Sequence, residues 1–409
     1  NSSVLILKQN FISYAQIFLW GCLVFLTASN SWFSNKLNIS ISYLIYLNFL
    51  LLFLINIRSI SEYFKYLFSN NFKILDTYIF ISIFISIFSA ITSDSLNIDI
   101  FIFVAIYAFL RSLSLTPSDS ISDKNILYGV IICALVSAFG ILFGIFEYLF
   151  LESTLFFESK NTPSIIKMLP VYFGGFHESY NQAAYIIIAA LGVLGFLDLS
   201  KKQKFFFEII FWVSLMLSGA KIVFLFFAIS LILKLFEARN SFLAKSLIFL
   251  VSIGYLFLAH IIFASAHEGV LSDKYYRELI FQIDDINLYL SLFSWLKIES
   301  VNYLIDSLGQ VLSIANFNNF TNGYDPHFLL ASLTFIGGII FACLVYIRIF
   351  HSAYLNLKYK IENQILFTSL IIVFIIETMV WDSHHSFIFW IVMTYNFVSK
   401  NKYEIENFN

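Results

Sequence analysis

The sequence predicts an all-α, polytopic membrane protein of about twelve transmembrane helices with one large extracytoplasmic helical loop. Three observations predict it. Of its 409 residues, 59% are hydrophobic and 12% charged, about half the roughly 25% charged share of a soluble domain. Apolar runs approaching the ~20 residues that cross a bilayer recur along the chain. Lys and Arg fall unevenly between the loops that separate those runs.

The runs lie at roughly 11–29, 41–57, 74–92, 98–116, 126–149, 182–199, 205–217, 222–236, 246–266, 327–350, 364–381 and 387–399. The first has no small-residue cleavage site after it and reads as a first span rather than a signal peptide. With the N-terminus inside, 17 of the 24 Lys and Arg residues fall on the inner side, Arg111 and Arg348 among them, and 7 on the outer side. Both termini are therefore expected in the cytoplasm. The chain reads as one integral membrane domain, 1–409, with a smaller outer loop at 150–181 and a large one at 267–326. Within the large loop, Ser272-Asp273 can cap a helix, and apolar residues from Leu279 to Leu308 recur at amphipathic helical spacing.

Composition also excludes. A net charge of −2 gives no basis for nucleic-acid binding. Cys22, Cys133 and Cys343 all fall in apolar runs, so neither a disulfide framework nor a CxxC metal site is expected. No GxxxxGK[ST] loop occurs and the inner loops are short, which argues against a nucleotide-driven pump. No metal and no cofactor is expected.

The candidate chemistry sits on the outer side. Asp325-Pro326-His327-Phe328-Leu329-Leu330 delivers a histidine to the mouth of an apolar run that continues through Gly337-Gly338. A neutral His327 can take a proton from a hydroxyl, with Asp325 to orient it; the alternative is an interfacial histidine bonded to a loop carbonyl. Arg277 is the one outer arginine of five. Its planar fork suits phosphate oxygens, against the alternative of a surface salt bridge. Gly174-Gly175-Phe176-His177-Glu178-Ser179-Tyr180-Asn181 closes the smaller loop, and places His177 and Glu178 at the membrane surface or simply caps a span. Lys221, in Ser218-Gly219-Ala220-Lys221, either snorkels to the interface or offers an ammonium to a phosphate. Lys160 and Lys167 are further outer cations. Glu377, Asp382, His384 and His385 cluster at the end of another run, read as walls of a wet cavity in preference to a metal site.

In order and placement these elements resemble the O-antigen polymerase/ligase superfamily, the Wzy and WaaL type of membrane glycosyltransferases. Asp325 to Leu330 is similar to that family's Asp-Ser-His-Asn-x-x-Leu motif, and Gly337-Gly338 to its glycine-rich continuation. Arg277 matches an arginine near the start of the large loop. Ser218 to Lys221 resembles a turn between two central spans, and Gly174 to Asn181 the Gly-x-Phe-x-x-x-x-Asn entry to another. The resemblance covers about 170–350. Two features differ: Tyr172 stands near the family's second arginine, and Phe328 follows the histidine where Asn is common.

The resemblance implies a GT-C-like membrane fold in the inner membrane of a bacterium, with the active site on the periplasmic face. It implies inverting, metal-independent transfer of an oligosaccharide from undecaprenyl pyrophosphate to a sugar hydroxyl. Arg277 would meet the pyrophosphate, with Lys221 or Lys167 assisting, and His327 would be the base, with Asp325 or Glu178 in reserve. His177, Tyr172 and Asn181 would line the substrate. The implied partners are the lipid-linked glycans, the bilayer, a chain-length regulator and a flippase. Within the class, a divergent sequence with modest loops favours a polymerase over a ligase that transfers glycan to lipid A-core. From a different class, a lipid-linked sugar flippase would share the spans and the low charge. It is disfavoured by the asymmetric outer loop and by the lack of a repeat between 1–200 and 201–409.

Overall fold

A computed structural model describes residues 2–69, 75–92, 99–115, 120–151, 155–156, 173–177, 180–235, 329–358, 365–380 and 387–394. Among these residues every regular element is helical. In chain order they are α1 (Ser2–Leu37), α2 (Ser42–Ile55), α3 (Ile57–Ser69), α4 (Leu75–Thr92), α5 (Asp99–Leu115), α6 (Ser120–Phe150) and α7 (Tyr180–Val193). After a 3₁₀ turn (Leu194–Phe196) come α8 (Lys201–Ser218), α9 (Lys221–Leu235), α10 (Leu329–Lys358), α11 (Ile365–Val380) and α12 (Phe387–Thr394). The expected run at 246–266 and the large loop at 267–326 lie outside the described residues.

By length and composition, Phe11–Leu37 and Lys124–Phe150 are each apolar enough to cross a membrane. The α2–α3 pair passes the same test as one broken span, bent by 71°. Five shorter apolar helices lie within 75–88, 101–114, 180–196, 340–356 and 365–376.

The break between α2 and α3 follows from composition. α2 is almost wholly apolar, whereas α3 places Ile60, Tyr63 and Leu67 on one buried face and exposes Arg58 and Glu62 as an i,i+4 pair. At the corner, the Leu52 carbonyl accepts both the Asn56 backbone N–H at 3.1 Å and the Asn56 side-chain amide at 2.8 Å, which ties the corner residue to the last turn of α2. The sequence reading ended this run at residue 57 and assigned no helix to 57–69; the alternation of charge with every third or fourth apolar residue was the available signal.

The centre of the bundle is the most apolar part. Every residue from Ala183 to Val193 in α7 is buried, as is all of α12. A helix apolar on all sides is stable only when neighbours surround it. α11 packs against α7 so closely that a Cβ on Gly192 would stand 2.5 Å from Leu370 Cδ2. α1 and α6 run side by side at comparable closeness: a Cβ on Gly129 would lie 2.5 Å from Trp20 Cβ and 2.9 Å from Gly21 N.

The periphery is also apolar. Tyr43, Leu47, Leu50 and Leu54 on α2, Phe84 and Phe88 on α4, and Phe205 and Val213 on α8 are exposed, while Asp76, Arg111, Arg348 and Asn125 are buried. A soluble surface rarely leaves so wide an apolar area open. Apolar residues outside and ionic groups inside is the arrangement a hydrocarbon solvent selects.

Candidate functional site

Two sequence elements fall wholly or partly within the described residues, the first beside the C-terminal half of α6 and the second between α8 and α9. In the first, the chain returns from the smaller loop through Phe173 to His177 and enters the groove between α1 and α6. Small residues make the groove. A Cβ on Gly140 would stand 2.7 Å from the Phe176 ring and 3.1 Å from its backbone nitrogen. One on Gly144 would meet the Phe156 carbonyl at 2.8 Å. Gly175 turns the chain with φ +60, a conformation that favours glycine, and lies directly on the Gly140 backbone.

The other side of the loop is held by α6 and α1. Both carboxylate oxygens of Glu147 accept backbone N–H groups, from Leu155 and from Phe156, each at 2.8 Å. The Trp32 indole donates to the Leu155 carbonyl at 2.9 Å and stacks on Phe156. Gly175 N–H donates to the Phe156 carbonyl at 3.1 Å, joining the two stretches of the loop. Phe176 packs edge-on against Phe25, Trp32 and Phe156.

His177 lies at the bottom of this groove, 2% exposed, with Nε2 at 2.8 Å from Ser137 Oγ and Nδ1 at 3.3 Å from Ser29 Oγ. The expectation of a surface position is corrected: small side chains on α1 and α6 leave an opening that the imidazole fills. Asn181, in the first turn of α7, is half-buried and has partners of its own. The second element, Ser218 to Lys221, is a helix break. Gly219 caps α8 in the left-handed conformation (φ 72), Ser218 Oγ is 3.3 Å from the Ala220 nitrogen that donates to it, and Lys221 opens α9.

α10 begins at Leu329, immediately after the third element, and is kinked at Gly338 (φ 85), where the Ser86 hydroxyl of α4 donates to the Gly337 carbonyl. Arg277, Asp325, His327, Glu178, Lys167 and Tyr172 lie outside the described residues, as do Lys160, Asp382, His384 and His385. A small cavity between α1, α7 and α12, lined by Thr27, Ala28, Gln182 and Phe387, opens near the seated loop. It has room for a water-sized group only, which excludes a sugar ring.

A separate part of the bundle holds a cluster that the sequence reading missed. Asp76, at the start of α4, accepts four hydrogen bonds. Arg111 Nε at 2.8 Å and Tyr63 at 3.1 Å reach Oδ2; Arg348 Nη2 at 2.8 Å and Tyr107 at 2.7 Å reach Oδ1. Arg111 also donates to the Thr394 carbonyl of α12 at 3.1 Å. Arg111 and Arg348, counted among the inner-side cations, are therefore not solvated. Both are buried in an ion network that ties α3, α4, α5, α10 and α12 together. The signal was present: all three charged residues fall inside expected spans, where an ionisable group always needs an explanation. With its carboxylate saturated and its members buried, the cluster is a structural tie.

Among the described residues no group of three His, Cys, Asp or Glu side chains is arranged to hold a metal. No family model matches the chain, and no curated protein or solved structure matches it either.

Proposed function

We propose that this chain is a membrane glycosyltransferase of about twelve spans that joins undecaprenyl-pyrophosphate-linked repeat units into O-antigen or capsular polysaccharide. It would work at the outer face of the bacterial cytoplasmic membrane. One observation carries the reading. The elements Gly174–Asn181, Ser218–Lys221 and Asp325–Leu330 lead into α7, α9 and α10, and these three helices all pack against α11.

In this reading the acceptor sugar hydroxyl attacks the anomeric carbon of the lipid-linked glycan as the bond to pyrophosphate breaks. His327 receives the hydroxyl proton, with Asp325 or Glu178 beside it. Arg277 holds the departing undecaprenyl pyrophosphate, whose charge grows as the bond lengthens, with Lys221 or Lys167 assisting. Inversion follows from a single displacement, and positioning supplies most of the remaining rate. No step requires a metal.

The test is surface-glycan profiling on a gel in a strain lacking this protein, complemented with wild type, Arg277→Ala or His327→Ala at matched membrane levels. Single repeats on lipid A-core without a long ladder, restored by wild type but by neither variant, are expected. Accumulation of lipid-linked polymer with no glycan on core would instead identify a ligase. A full ladder from both variants would remove Arg277 and His327 from the site.

A further inference from the structure

We infer that His177 is a positioning residue, which holds the turn from Gly174 to His177 in the α1/α6 groove through a fixed order of hydrogen bonds. The inference rests on the glycosyltransferase reading only for its consequence in activity; the hydrogen bonds follow from the structure alone.

The proton count sets the order. Ser29 Oγ donates its single hydrogen to the Phe25 carbonyl at 2.7 Å. Toward Nδ1 at 3.3 Å it therefore presents lone pairs. The α1 side of the seat thus offers an acceptor, and Nδ1 carries the hydrogen. The ring lies against Phe25, Ser29 and Ser137, and no charged side chain among the described residues contacts it. A buried imidazolium without a carboxylate is costly, so the ring is neutral. Nε2 is then a lone pair facing Ser137 Oγ at 2.8 Å. Ser137 satisfies it by turning its hydrogen from the Cys133 carbonyl, which lies 3.0 Å away, toward the ring.

The depth of the seat gives this order its consequence. Ser137 is midway along the apolar stretch Lys124–Phe150. At 1.5 Å per residue it lies about 20 Å from either end, inside the ~30 Å hydrocarbon layer of a bilayer crossed by that helix. A loop that reaches this depth must satisfy its polar atoms internally. His177 does so across both walls, while Gly140 and Gly144 provide the space. The next residues in the chain are Glu178 and Ser179, and then the first turn of α7, so the seat sets where that helix starts. His177 acts on any reaction through the chain it anchors, in place of the substrate contact expected from the sequence.

The two halves of the seat make the substitutions distinguishable. In His177→Gln the side-chain amide oxygen can take the Ser137 hydrogen, as Nε2 does. In His177→Asn the shorter amide can donate its N–H toward α1, as Nδ1 does. The α6 half is the shorter bond, so retention of the loop should rank His177→Gln above His177→Asn above His177→Ala. Hydrogen exchange on the full chain in lipid nanodiscs reads this directly. The Gly175 and His177 amides donate at 3.1 Å to the Phe156 and Gly174 carbonyls and report the seat. Exchange at these amides should rise about tenfold in His177→Ala, the equivalent of about 1.4 kcal/mol, and by a smaller factor in Ser137→Ala. α4, α5 and α10 should be unchanged, and the glycan ladder should shorten in the same rank order.

Unchanged exchange in both His177→Ala and Ser137→Ala overturns the seat. Released exchange with a full ladder overturns the positioning role. A ladder that also survives Arg277→Ala and His327→Ala overturns the glycosyltransferase assignment and leaves the exchange result standing.

Discussion

In one part of the bundle, Asp76 gathers four donors from three other helices, two of them guanidinium groups. In another part, a returning loop is seated by glycines, aromatic edges, serine hydroxyls and a carboxylate that accepts two backbone N–H groups. The first arrangement fixes helices to one another through one carboxylate, and removing Asp76 leaves two buried guanidinium groups uncompensated. The second fixes a loop by contacts that can be lost one at a time. A bundle in hydrocarbon gains little from apolar packing between its own helices, so specific polar ties decide which helices stay together.

The contrast can be broken most forcefully at Asp76. Asp76→Ala leaves Arg111 and Arg348 buried without their carboxylate and should cost about 3–5 kcal/mol, read as a large fall in thermal midpoint in detergent. Replacing Asp76 with Leu together with both arginines by Met should recover much of that loss, since a buried ion network is often no more stable than an apolar substitute. A single Asp76→Ala variant that melts like wild type would refute the tie.

A smaller effect is expected at the groove. Gly144→Ala places a Cβ 2.8 Å from the Phe156 carbonyl, and should cost about 1–3 kcal/mol as overpacking. It should speed exchange at residues 173–177 while leaving the Asp76 cluster protected. Equal loss of protection in both parts would show that the two parts are one cooperative unit. Glu147→Gln sharpens the same point: one of two backbone donors loses its oxygen, for about 1–3 kcal/mol, and the increase in exchange should concentrate at Leu155 and Phe156.

The smallest change is expected at the exposed pair of Lys124 and Asp198. The Lys124 ammonium beside Asp198 holds its carboxyl below the usual carboxylate range. Its contribution is therefore present above that range and is lost as pH falls through the lowered value. Solvent screens such a pair, so Lys124→Ala should leave the thermal midpoint at neutral pH within error. A clear drop would mean that this corner is part of the load on the Asp76 cluster.

Much of the helix pattern was legible from apolar run length. The runs at 74–92, 98–116 and 222–236 agree with α4, α5 and α9 to within a residue or so, because in each of these helices the apolar run extends over nearly the whole length. The α2–α3 bend was not legible by run length, since α3 is amphipathic. The Asp76 tie was hidden for a different reason: Arg111 and Arg348 have the same identity whether solvated at a helix end or buried between helices. At the candidate site, the glycines of 174–175 and 219 were recognised as break points. The placement of His177 was not, since Ser29 and Ser137 lie 108 residues apart and 40 or more residues from it.

The sequence by itself determined that this chain is helical and apolar, where α2, α4, α5, α9 and α11 begin and end, and which polar elements precede α7, α9 and α10. Tertiary structure alone decided which polar residues meet. Hydropathy is a property of each residue and can be read singly, whereas a hydrogen bond exists only when two helices approach at one register. That is why Asp76 and His177, neither of them legible as a partner in the sequence, prove to organise separate parts of the bundle.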